Sequence, residues 1–180
     1  MKIKFLILVL ALQTVWILGT AFTQERVLRV GQLILLETQP VDPRDLLRGD
    51  YVRLNYKISD VPREQFFSPP LTGELPAGTM VFVALTSAAT NGFYHVSRAS
   101  QERFTPAASE VLLRGTVAAT WRDRAGAIHV EYGLEQYFVA EGTGNPRGKL
   151  TVQAAVANSG RANIKQVFVD GKPYAEAIKP

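Results

Sequence analysis

Cysteine is missing from all 180 residues. Disulfides, thiolate metal sites and cysteine nucleophiles are therefore excluded together, which fits an exported domain that folds without oxidative help. Histidine is scarce: His95 and His129 are the two, and they lack the i,i+2 or i,i+4 spacing of metal-ligand pairs. Both read as surface or satisfied residues, with His129 directed away from its neighbours Ile128 and Val130, so no metal or cofactor is expected. There is no basic run of the kind that grips a phosphate backbone, which argues against nucleic-acid binding. Also missing are a Walker-type glycine loop, a nucleophile elbow and a serine–lysine pair. Gly142-Thr143-Gly144-Asn145 lacks the lysine of a phosphate loop and reads as a turn. No internal repeat is visible.

What remains is the composition of one globular domain, with 47% hydrophobic and 20% charged residues. The chain is long enough to bury a core without covalent staples. Its formal charge is +4, but no acidic residue precedes Glu25. Setting Lys2 and Lys4 apart leaves +2 for the rest.

Residues 5–22, FLILVLALQTVWILGTAF, carry no charge. As a helix they would extend about 27 Å, close to a bilayer's hydrocarbon thickness. Lys2 and Lys4 stand just before them, and the positive-inside rule keeps such residues cytoplasmic. The expectation is an N-terminal membrane anchor over residues 1–22 and an extracytoplasmic domain over 23–180. The alternative is a signal peptide cleaved after Ala21, at the small-x-small triplet Gly19-Thr20-Ala21. Both readings send the remainder across the membrane.

After residue 23 the pattern is one of strands and turns. Residues 27–38 are apolar and partly β-branched, with Gly31 as a bulge or bend. Residues 50–59 alternate, placing Val52, Leu54, Tyr56 and Ile58 on one side and Tyr51, Arg53, Asn55 and Lys57 on the other, as in a half-buried strand. Residues 61–76, rich in proline, read as a loop or a short helical turn around 63–67. Residues 79–86 form a continuous apolar run suited to a central strand. Asn91-Gly92 signals a hairpin into residues 93–97. Residues 110–121 and 127–139 flank a second hairpin turn at 122–126, and 150–158 and 163–169 flank a third at Ser159-Gly160. Asp170-Gly171 turns the chain into a short tail. About eight strands with short polar turns predict an all-β fold, an antiparallel sandwich or partly closed barrel, behind one transmembrane helix. Tyr51, Tyr56, Phe93, Tyr94, Tyr132, Tyr137 and Phe138 read first as core aromatics, and those facing outward as a binding stripe.

The densest information lies in residues 40–56, PVDPRDLLRGDYVRLNY. Asp42-Pro43-Arg44-Asp45 is a turn or cap arrangement. Leu46 and Leu47 would anchor the loop, and Gly49 permits a positive φ before the strand. Asp50 falls on the apolar side, where a carboxylate needs a partner such as Arg44 or Arg48. One reading is architectural; the other presents Asp42, Arg44, Asp45 and Arg48 as a recognition surface. The octapeptide Gly49-Asp50-Tyr51-Val52-Arg53-Leu54-Asn55-Tyr56 resembles the signature of the GDYXXLXY family of bacterial membrane-anchored proteins. The stretch from Tyr132 to Val139, with Glu141-Gly142, resembles that family's second block, and Gly160 to Gly171 its closing hairpin. The resemblance implies a single-span domain at the bacterial inner or plasma membrane, with a multi-span membrane protein as partner. It brings no catalytic residue. The candidate contact surface comprises Asp42, Arg44, Asp45, Arg48, Gly49, Asp50, Tyr51, Leu54 and Tyr56 with Glu135, Tyr137 and Glu141.

Two further functions stay open at this level. Asp42, Asp50 and Glu141 would serve an envelope hydrolase if two carboxylates shared a cleft at about 5–10 Å. A large apolar cavity would instead suit a small ligand or lipid. Pro43…Gly49-Asp50-x-Val52 is also similar to an element of signal-peptidase-like serine proteases. There, however, Pro40 stands where the nucleophilic serine belongs, so that mechanism has no first step.

Overall fold

The computed structural model describes residues 2–39, 51–68, 73–119, 126–139 and 148–177. The turn at 122–125, Gly142-Thr143-Gly144-Asn145 and the signature residues 40–50 lie outside that set.

Helix α1 (Lys2–Val30) opens the chain. Its segment Ile3–Val30 is long and apolar enough to cross a membrane, and none of its most apolar stretch is buried against the rest of the protein. Phe5, Leu12, Trp16 and Phe22 are each at least 69% exposed, a display that water penalises and lipid accepts. Residues 27–30, read from sequence as the start of a strand, are helical instead. Glu25 and Arg29 explain part of this, since they pair at i,i+4 with 2.7 Å between Oε1 and Nε. That spacing supports another helical turn and sets a cation near the C-terminal dipole. The helix thus runs unbroken past Phe22, the expected end of the anchor.

Gly31 ends it, as the bend the sequence suggested. Its amide donates to the Val27 carbonyl at 2.9 Å. A Cβ at this position would overlap that same carbonyl oxygen and lie 3.0 Å from the Val156 amide nitrogen. Both obstacles are backbone and cannot rotate away. Gly31→Ala is therefore expected to destabilise the fold by about 1–3 kcal/mol. Denaturant melts of the full chain in detergent check this, and an unchanged midpoint would show that the close approach is not needed.

The body is almost entirely β. Strands β1 (Gln32–Glu37), β2 (Tyr51–Arg53), β3 (Asp60–Pro62) and β4 (Phe66–Ser68) come first, followed by β5 (Met80–Ser87), β6 (Tyr94–Ser100), β7 (Glu110–Val117) and β8 (Ala127–Glu131). Then come β9 (Gln136–Phe138), β10 (Leu150–Val156), β11 (Ala162–Val169), β12 (Lys172–Pro173) and a one-turn helix α2 (Tyr174–Ala177). The order β1-β10-β11-β12 makes one sheet, β3-β8-β7-β5-β6-β4 a second, and β2-β9 a two-stranded ribbon. All strand pairs are antiparallel except β4 with β6. Bridges Leu35↔Phe93 and Thr38↔Tyr56 tie β1 to the second sheet and to the signature strand. The sheets thereby curl into a half-barrel, the partly closed form of the expected architecture.

The three predicted hairpins are present as β5–β6, β7–β8 and β10–β11, and β5 is central as its apolar run required. Residues 127–139 do not form one strand. Gly133 at φ +79° breaks them, so β8 serves the large sheet and β9 serves the ribbon. Within 61–76, the strand segments β3 and β4 flank a 3-10 turn at Arg63–Gln65. The core is a single cluster running from Ile34 and Leu36 on β1 through Val81, Val83 and Leu85 on β5 to Val152 and Val167.

Candidate functional site: the signature ribbon

The ribbon joins the two sequence blocks directly. Tyr51 lies opposite Phe138, Val52 opposite Tyr137 and Arg53 opposite Gln136. One residue further on, the Leu54 amide donates to the Glu135 carbonyl at 2.8 Å. Residues 50–59 do not form the one strand expected: β2 stops at Arg53 and Lys57–Ser59 make a 3-10 turn, but the alternation still sorts the side chains. Val52, Leu54, Tyr56 and Ile58 are buried, while Arg53 and Lys57 face solvent.

Two tyrosines cross-brace the junction. Tyr56 Oη donates to the Leu134 carbonyl at 2.7 Å, and Tyr132 Oη donates to the Ile58 carbonyl at 2.8 Å. Each strand segment thus receives a hydroxyl from the other, satisfying carbonyls that burial would otherwise leave unpaired. Burial pushes both hydroxyls well above the ordinary tyrosine range. The charge of Glu135 pushes them the same way, with Asp60 adding to the effect at Tyr132. Both stay protonated donors. Glu135 holds the intervening turn, its Oε1 accepting from the Tyr132 amide at 2.6 Å. Tyr137 packs edge-on against Tyr174, with ring centroids 5.4 Å apart.

The candidate contact residues therefore divide. Leu54 and Tyr56, at 2% and 0% exposure, cannot touch a partner; they support the surface from inside. Their apolar and hydrogen-bonded settings are the reason. Glu135 is half-buried and committed to its turn, and Tyr137 is half-buried against Tyr174. Asp42, Arg44, Asp45, Arg48, Gly49, Asp50 and Glu141 lie outside the described residues, as does the side chain of Tyr51. Phe138 departs from the core reading, being 73% exposed, because the alternation that buries Val52 against its partner turns Phe138 outward. Arg53, Glu131, Gly133, Glu135 and Gln136 line a cavity of about 310 Å³ beside the ribbon. Arg53 was legible as an outward residue; Glu131 and Gln136 join it only through the β2–β9 register.

A second polar cluster braces the same end of the half-barrel. Glu37, at the end of β1, bridges Lys57 at 2.7 Å and Lys149 at 2.5 Å. Hydrogen bonds from Lys149 and then Lys57 hold its carboxyl below the usual glutamate range. Lys149 Nζ also sits 5.6 Å from the centre of the Phe93 ring. Next to it, Asp60 accepts from Gln39 Nε2 at 3.1 Å, and its Oδ1 lies 2.8 Å from His129 Nδ1. His129 is thus satisfied by a carboxylate. Among the described residues, no group of three His, Asp or Glu side chains gathers as a metal site. Thr38 and Gln39 continue the brace, since Thr38 Oγ1 donates to the Leu150 carbonyl and the Gln39 amide to the Asn55 carbonyl, both at 2.7 Å. Gln39 is therefore fixed beside Asn55, four residues past Tyr51, where the described chain resumes.

These features define a half-barrel β-domain behind an apolar helix, with a cross-braced ribbon formed by the signature strand and the second sequence block. The family model described as GDYXXLXY protein matches residues 13–167, and the chain belongs to that family. No curated protein and no solved structure matches it.

Proposed function

We propose that this chain is a membrane-anchored, extracytoplasmic binding or accessory module of a bacterial envelope, acting with a multi-span membrane protein and without a cofactor. The observation that carries this reading is the ribbon itself. Its inner side chains are consumed by packing and by the crossed tyrosine hydrogen bonds. Its outer side presents Arg53, Gln136 and the exposed Phe138. A rigid base with an aromatic and an arginine on its outer face suits recognition, since such residues dominate binding energies at protein interfaces. The contact surface in this reading is residues 40–56 together with residues 137–141.

A second reading, hydrolysis by acidic side chains, draws on Glu131 and Glu135 lining one cavity. The hold of Glu135 on the Tyr132 amide favours a structural role for that carboxylate. Co-purification from solubilised membranes separates the readings. Against wild type, Arg44→Ala with Arg48→Ala, and separately Phe138→Ala, are each expected to cut partner recovery at least about tenfold. Equal recovery from all three proteins would remove the interface. Turnover of envelope polymers by purified chain, abolished by Glu131→Gln, would establish the hydrolase.

A further inference from the structure

The end of the half-barrel opposite the Glu37 cluster gathers positive charge at the base of the helix. Strand β1 begins at the end of α1, and Gln32 pairs with Val156, the last residue of β10. The β10–β11 turn therefore projects at the helix end of its sheet. Asn163, the second residue of β11, donates from Nδ2 to Gln24, 2.5 Å from its Oε1. Gln24 is the second residue past the charge-free run that ends at Phe22. This contact sets Asn163, three residues past Gly160 of the turn, beside the point where the apolar segment stops.

Arginines converge there from three parts of the chain. Arg161 is exposed on the turn. Arg103 reaches in from the β6–β7 connection, donating through Nη2 to the Asn158 carbonyl at 2.8 Å. The Arg114 amide of β7 donates to the Gly160 carbonyl at 2.8 Å, bringing that residue alongside. Arg26, exposed on the helix two residues past Gln24, adds a charge at the same level from the opposite face of the helix. Against them stand Glu25, already paired with Arg29, Glu102, and Glu131, which lies opposite Thr116 and so diagonally across from Arg114 on one face of the sheet. Gln24 rises about 3 Å beyond Phe22, and Arg161 lies about 7 Å along the strand from Asn163. The headgroup layer of a bilayer is about 5–8 Å deep on each side. Arginine forks within that layer match phosphate geometry.

We infer that the β10–β11 turn, with Arg26, Arg103, Arg114 and Arg161, rests on the membrane surface and binds the phosphates of anionic lipid headgroups. This fixes the half-barrel upright, with the Glu37 cluster held away from the bilayer. Strand β1 rises about 17 Å between its two ends, which separates the lipid-facing end from the Glu37 end. The inference rests on the anchor reading.

The absence of cysteine makes the test direct. Full-length chain carrying Ser159→Cys, or Thr90→Cys in the β5–β6 turn at the far end, is labelled with a nitroxide. It is reconstituted in phosphatidylcholine vesicles with or without about a third phosphatidylglycerol, including a trace of nickel-chelating lipid. Relaxation by headgroup nickel is expected to be at least about fivefold stronger at 159 than at 90, and stronger with phosphatidylglycerol. Adding Arg103→Glu with Arg161→Glu should bring the two positions together, and the exposed Arg161→Gln alone should fall between. High salt should weaken the difference. Equal relaxation at both positions in chain that stays with vesicles through an alkaline wash would overturn the inference while leaving the anchor intact. A difference indifferent to phosphatidylglycerol would overturn the headgroup assignment. Loss of the chain in the wash would remove the anchor reading and this inference with it.

Discussion

Replacing Tyr56 with alanine is expected to cost about 4–5 kcal/mol, close to the whole stability of a marginal domain. The side chain is fully buried, so truncation opens a cavity in the middle of the core cluster. It also strands the Leu134 carbonyl that the hydroxyl now satisfies. Tyr56→Phe isolates the second effect and should cost about 1–3 kcal/mol, the penalty for a buried acceptor left unpaired. Tyr132→Phe should cost a similar amount through the Ile58 carbonyl. The two hydroxyls brace one junction, so the double variant should deviate from additivity by about 0.5 kcal/mol or more. Thermal melts of the full chain in detergent provide the measurement. A shift of about 10 °C or more for Tyr56→Ala agrees with these figures, whereas a shift of a degree or two would show that the junction tolerates the loss. In the folded fraction, Tyr56→Phe should leave partner recovery unchanged, because the outward face of the ribbon is untouched.

The second large effect concerns acid. Glu110 sits where β7 begins, and its carboxylate accepts from Arg98 Nη2 at 2.8 Å, Ser97 Oγ at 2.6 Å and the Ala107 amide at 2.9 Å. Arg98 is itself stacked against Phe67 and Phe104, with its guanidinium carbon 5.3 and 4.8 Å from their ring centres. The Arg98 hydrogen bonds lead in lowering the carboxyl from 4.5 to about 2, with Ser97 and Ala107 reinforcing them against the cost of burial. Folding therefore favours the ionised form. The stabilisation is complete once the unfolded chain's carboxyl is also ionised, above about 4.5, and drains away as pH falls towards about 2. The shift corresponds to about 3 kcal/mol, and solvent screening at the partly exposed Arg98 trims it to about 2 kcal/mol. Glu110→Gln should lower the neutral-pH denaturation midpoint and flatten its pH dependence across that window. Wild type and variant should converge in strong acid. Parallel curves that stay apart below that window would show that Glu110 acts through packing alone.

The sequence was a good guide to which side chains are buried, less so to where a strand ends. Val52, Leu54, Tyr56 and Ile58 alternate and are all buried, yet the strand itself stops at Arg53 and Lys57–Ser59 form a 3-10 turn, because the same alternation of burial survives a change of backbone. The apolar run ending at Thr86 is the central strand, and Asn91-Gly92 makes its hairpin. It misled where one segment serves two partners. Residues 127–139 look like one strand because both halves are apolar and aromatic, yet Gly133 sends the second half to a different sheet. Residues 27–30 fit strand or helix equally well by composition. The Glu25–Arg29 pair and the continuity of the preceding helix decide for helix. Phe138 reads from sequence as a core aromatic, because aromatic content cannot report which face a three-residue strand buries.

The site was legible as a stretch of chain and not as a surface. That the octapeptide and the second block belong together was visible only as a resemblance. Their pairing through Arg53 and Gln136 depends on register across some 80 residues of intervening chain. The same holds for Glu37 with Lys57 and Lys149, and for Asp60 with His129, none of which has a local motif. Chemistry that sequence reasoning weighed for Leu54 and Tyr56 as contacts is excluded by burial, which no spacing rule reports.

The inner side of the signature ribbon is architecture, and in the proposed function its outer side is the place of contact. Photo-crosslinking in native membranes distinguishes the two faces, with a benzoylphenylalanine replacing Phe138 in one strain and the exposed Lys165 of β11 in another. A discrete adduct with a multi-span membrane protein is expected from position 138, lost with Arg44→Ala and Arg48→Ala, and none from position 165. Equal adducts from both positions, or none from position 138 in chain shown to be folded and membrane-bound, would contradict it.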